Sequence, residues 1–266
     1  MAKQQQEVAV EVKPTALMNV ADMEGDAGGG FEDASKDSYA IPFLQILQKG
    51  SPAIDVDHPK HKEIPGAKQG GIINTVTEEV TDGDKGLLVL PCHFTQTFIE
   101  WADRDAGGGF VASHNVADGQ RLLATCKRDE KNRDVLPNSN YLVDTRSHYV
   151  LVVKEDGTAS PALVSFSSTQ TKKSKKWMSA MQDVKVKRAD GTTFTPPMWA
   201  NCYRLKTVSE SNAKGTWRGW DIAREGQCQG VSLYNQAKQF RDAVRVGAVK
   251  AAEPREPGID AYDTPM

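Results

Sequence analysis

The chain has 266 residues, of which 39% are apolar and 26% charged, with a formal net charge of −2. That length is enough to bury a core, but the apolar share is low for a compact globule, so part of the chain is expected to stay outside it. No apolar run approaches the roughly 18 residues a membrane helix needs, so no membrane span is expected. The start, Met1-Ala2-Lys3-Gln4-Gln5-Gln6-Glu7, has no apolar stretch and does not read as a secretory signal. The four cysteines, at 92, 126, 202 and 228, are too scattered for a disulfide framework and suit reduced thiols in a cytosol.

The charges are unevenly placed. Residues 1–40 carry −5 and residues 250–266 carry −2, which leaves +5 on 41–249. Residues 1–38, with Gln4-Gln5-Gln6, Gly28-Gly29-Gly30 and many acids, read as a disordered acidic arm, because they cannot bury enough surface to offset the entropy of ordering. One folded domain is expected over 39–249, followed by a flexible acidic tail over 250–266.

In chain order, Ile41 to Leu47 is dense in apolar residues and suits a strand or a short helix. Ile72 to Val76 is a short strand candidate. Gly86 to Trp101 reads as a long strand with Pro91 at an edge or a bulge. Arg121 to Arg133 reads as a loop or an edge strand. Tyr141 to Val153 is the clearest strand, with Tyr149, Leu151 and Val153 on one face and His148, Val150 and Val152 on the other. Glu155-Asp156-Gly157 turns it into a returning strand, Pro161 to Phe166. Gln170 to Val184 then has helical period, with Trp177, Met178 and Met181 on one face. Two β segments, Ala200 to Val208 and Thr216 to Ala223, precede a terminal helix over Val231 to Val246. The expected fold is mainly β, a β-barrel of the oligonucleotide-binding type, with one internal and one C-terminal helix. Other α+β arrangements stay open.

No phosphate-loop, nucleophile-elbow or zinc-protease motif occurs, no C-x₂-C pair exists, and no carboxylates are paired for acid–base work. Neither a catalytic residue, a metal nor a cofactor is expected. The strongest charge signal lies in residues 166–188, which hold seven cations and one acid. Lys172, Lys173, Lys175 and Lys176 follow a hydroxyl-rich stretch, a pattern that suits sugar–phosphate contact through a helix start and counterion release. The alternative is a solvated helix face. Phe166, Trp177, Tyr203, Trp217 and Trp220 are candidate base-stacking surfaces, with Arg204 and Arg218 beside them. Trp217 and Trp220 differ by three, so on a strand they face opposite sides.

Three blocks carry a family resemblance: Ile41-Pro42-Phe43-Leu44-Gln45-Ile46-Leu47-Gln48-Lys49-Gly50-Ser51-Pro52, Leu163 to Trp177, and Gly215 to Trp220. Together they resemble bacteriophage replication-module proteins, and among these the single-stranded DNA-binding proteins with an oligonucleotide-binding barrel. The resemblance implies a non-catalytic protein that coats single-stranded DNA during replication and recombination in the cytoplasm of the host bacterium. It also implies a C-terminal tail that contacts a polymerase or helicase. In that group the tail commonly ends in an aromatic residue, whereas here Tyr262 is followed by Asp263-Thr264-Pro265-Met266. The competing expectation is a virion structural or assembly protein.

Overall fold

The computed structural model describes residues 40–103, 107–212 and 215–249, with short pieces at 24–27, 29–30 and 32–33. The arm expected over 1–38 lies mostly outside the described residues, and the tail over 250–266 lies wholly outside them.

Five long strands make the frame: β4 (Leu87–Trp101), β8 (Tyr141–Val153), β9 (Ala159–Phe166), β12 (Asn201–Asn212) and β13 (Gly215–Gln227). They pair antiparallel in the order β13-β12-β4-β8-β9. Short strands fill the gaps. β1 (Leu44–Ile46), β2 (Ile72–Asn74) and β3 (Val80–Thr81) form a small sheet, and β5 (Phe110–His114), β6 (Lys127–Arg128) and β7 (Asp134–Val135) extend the main one. β10 (Val186–Lys187) pairs with β11 (Thr193–Phe194). The helices are α1 (Val116–Leu123), α2 (Thr171–Asp183) and α3 (Val231–Arg245).

The sheet curls into a half-barrel. Phe166 on β9 comes within 6.4 Å of Trp220 on β13, centroid to centroid. The segment around β1 lies between these two strands: Phe43 makes a parallel bridge to Leu163, and the Gln48 amide reaches Arg218. The pleat sends neighbouring residues to opposite faces. Val89, Val150, Val164 and Leu205 point inside, with α2 packed over them through Trp177 and Met181. Leu90, Leu151 and Leu163 point outside, under Ala237 and Phe240 of α3. Each apolar side chain so buried contributes about 1.5–3 kcal/mol, so both helices are held by tertiary burial rather than by propensity. The two faces expected for Tyr141–Val153 are the two faces observed. A bulge sits beside Pro91, between it and His93.

The fold is mainly β, but the described residues between 40 and 249 hold one helix more than expected. Arg121 to Arg133 reads as loop or edge strand, yet its start is the end of α1. Asn115 caps that helix by accepting from the Asp118 amide at 3.0 Å, and Asn115-x-x-Asp118 is the signal that marks it. Its eight residues include Gly119, which weakens a helical pattern. Gly119 is required because a Cβ there would overlap the Phe98 ring. Among the described residues, no helix is long and apolar enough to cross a membrane.

Candidate nucleic-acid interface

The chain leaves β9 at Phe166 and reverses onto the inner face through Ser168, whose φ is +50°. A 3-10 turn, Ser168–Gln170, leads into α2. Ser174, Trp177 and Met181 recur at spacings of three and four and are the buried residues of that helix. Lys172 and Lys176 therefore fall on the opposite, solvent-facing stripe, with Lys175 at its flank; all three are exposed. Among the described residues no ion pair holds them, whereas Lys173 reaches Glu210 Oε1 at 2.8 Å. An open depression lined by Met178, Ser179, Gln182, Asp183 and Lys185 borders the last turns of the helix.

Glu210 organises the neighbouring hairpin. Its Oε2 accepts from Trp217 Nε1 at 2.9 Å and from Gln170 Nε2 at 2.8 Å. Burial pushes the Glu210 carboxyl up, but the bonds from Lys173, Gln170 and Trp217 outweigh it and hold the group below the usual carboxylate range. Gln170 Oε1 in turn accepts from the Trp220 amide at 3.0 Å. Gln48 does the same two residues earlier, accepting from the Arg218 amide at 2.9 Å and donating to its carbonyl at 2.8 Å. Two side-chain amides thus cover the free edge of β13 at Arg218 and Trp220, where it would otherwise be open to strand addition. The blocks around residues 48, 170 and 218 meet here, although they lie more than a hundred residues apart at the extremes.

The aromatic expectations need correction. Phe166, Trp177, Tyr203 and Trp220 are 0%, 2%, 2% and 4% exposed, so their faces are core surface and offer no platform to a base. They pack on one another instead. Trp177 lies edge-on to Tyr203 at 5.6 Å and to Phe166 at 6.3 Å, with His148 stacked on it. Trp217 is the exception: it faces away from Trp220, as the spacing of three predicts, and is half-buried. Arg204 points outward and pairs with Glu225 at 2.7 Å. The Arg218 guanidinium lies 3.5 Å from Asp84 and against Gly70, so its charge is directed toward the β2 side. Of the expected site residues, the fold brings Lys173 and Trp217 together on Glu210, with Lys172, Lys175 and Lys176 exposed on the adjoining helix α2.

Sequence reasoning did not find Gln48, Gln170 or Glu210, because no local period marks an amide that reaches a distant strand edge. It also did not find the row Thr95, Ser147 and Ser165, which lie opposite one another on the outer face of β4, β8 and β9. All three are half-buried, and the two serine hydroxyls are 3.2 Å apart.

Residues 10–250 match the family of Pam3 phage gp34-like proteins. The chain belongs to that family. The match accords with the bacteriophage part of the resemblance and spans the half-barrel, α2 and α3. No curated protein and no solved structure matches this gp34-like chain.

Proposed function

We propose that this gp34-like protein is a non-catalytic single-stranded DNA-binding protein of phage replication and recombination, built on an oligonucleotide-binding type of barrel. One observation carries the reading: the long strands pair in the order fifth-fourth-first-second-third, with α2 inserted between the third and fourth. That is the arrangement expected of a five-stranded Greek-key barrel of this type. The exposed lysines of α2 supply phosphate contacts, and the Thr95, Ser147 and Ser165 row lies on strands that such barrels use for binding. With four aromatic rings buried, affinity rests on the sugar–phosphate chain, with Trp217 as the stacking contact nearest the lysines. The acidic tail then offers a contact to polymerase or helicase, and the site of action is the host cytoplasm.

The test is fluorescence anisotropy with labelled oligo-dT and a matched duplex, between about 50 and 200 mM salt. The reading expects preference for the single strand and a negative salt slope. Equal affinity for duplex, or no binding at low salt, overturns it. The assembly reading draws on a different observation: Phe110 and Val111 are 44% and 46% exposed on β5. High copy number in purified particles, with no oligo-dT binding, would favour that reading.

A further inference from the structure

The ladder between β12 and β13 brings two cysteines to one face. Cys202 lies opposite Gly226, and the Cys228 amide donates to the Ala200 carbonyl at 2.8 Å, which extends the pairing by one step. Cys228 is therefore the diagonal neighbour of Cys202 on the same face. Gly226 puts no side chain between them. Both thiols are half-buried and both pack on the outer core beneath α3. Cys92 faces the same cluster but is 1% exposed and donates to the Leu90 carbonyl at 3.3 Å. Cys126 lies far away, against α1.

We propose that Cys202 and Cys228 are a modification site: a dithiol that a low-molecular-weight disulfide, such as oxidised glutathione, converts into a reversible intrachain disulfide. Burial raises both thiols, Cys202 to about 11, while the neighbouring Cys202 thiol offsets part of the rise at Cys228, which favours ionisation there. The Cys228 thiolate attacks one sulfur of the small disulfide, whose S–S bond breaks to release one small thiol that carries off a proton. The Cys202 thiolate then attacks the mixed disulfide at the Cys228 sulfur and expels the second small thiol. Two protein thiols are oxidised, and one small disulfide is reduced to two thiols. The new bond closes a loop around the β12–β13 hairpin and anchors the chain just before α3 begins at Val231. Cys92 stays reduced because the core seals it.

The experiment uses the full chain incubated with oxidised glutathione, then denatured, alkylated and mapped by peptide mass. The expected result is that alkylatable thiols fall from four to two, that a peptide pair links residue 202 to residue 228, and that dithiothreitol restores all the thiols. Cys202→Ser should instead accumulate a glutathione adduct at Cys228. Four free thiols after oxidation, a stable adduct on the wild-type chain without the linked pair, or a link through Cys92 or Cys126 overturns the proposal. If the variant does not fold, wild-type mapping decides the question alone. None of these outcomes depends on DNA binding.

Discussion

The His148 imidazole lies flat on Trp177, with 4.5 Å between ring centroids and 18° between planes, and its Nε2 shares a 2.8 Å hydrogen bond with the Ser174 hydroxyl. One buried residue of β8 thereby fixes two turns of α2. Burial, with the nearby Arg146 charge, lowers its pKa from 6.5 to about 3. In the unfolded chain the ring takes a proton near pH 6.5; in the folded chain it stays neutral. Its stabilisation is therefore full above that pH and is lost as pH falls from about 6.5 toward 3, at roughly 1.4 kcal/mol per pH unit. Urea midpoints between pH 7 and 5 should drop accordingly, before the carboxylates titrate. A flat profile over that range would show that the ring is hydrated.

Trp177→Ala should cost about 3–5 kcal/mol, because it empties the inner core beneath α2. The triple change of Lys172, Lys175 and Lys176 to Gln should leave the urea midpoint nearly unchanged, since all three are exposed and have no ion pair among the described residues. In the oligo-dT titration it should reduce the salt slope by about 2. An unchanged slope would remove α2 from the interface.

Tyr203→Phe should be neutral or slightly stabilising, by up to about 1 kcal/mol. The ring is buried, but its hydroxyl has no hydrogen-bond partner among the described residues, so its removal relieves a desolvation cost. Thermal unfolding reads the sign directly, and a loss above about 2 kcal/mol would mean that the hydroxyl is satisfied.

Glu210→Ala should cost about 1–3 kcal/mol by stranding Trp217 Nε1 and Gln170 Nε2. It should also free Lys173 and Trp217 together, so the indole emission should move to the red while the midpoint falls. A red shift without lost stability would separate the indole from the edge network.

Gly83→Ala should cost about 1–3 kcal/mol or more. An added Cβ would overlap the Gly70 carbonyl and the Thr207 hydroxyl, two groups joined by a 2.7 Å hydrogen bond. Gly157→Ala serves as the contrast, since its φ of +81° carries a backbone cost but open space surrounds it. A larger fall in urea midpoint for Gly83→Ala than for Gly157→Ala, despite the backbone cost at residue 157, would mark the packing contribution.

The periodicities of this chain determined much of the frame. Alternation over Tyr141–Val153 set both faces of β8, and the clustering of Trp177, Met178 and Met181 at helical spacing set which side of α2 turns inward, because side-chain direction follows from backbone geometry alone. Only the tertiary structure decided whether an aromatic side chain became core or surface. Trp220 and Trp217 have similar neighbours along the chain, yet one is roofed by Phe166 from β9 and the other is bound by Glu210 across the hairpin. The same holds for Gln48 at the β13 edge and for Cys202 with Cys228. Such pairings depend on how the sheet curls, and curvature arises from contacts between residues far apart in the chain, which no local pattern encodes.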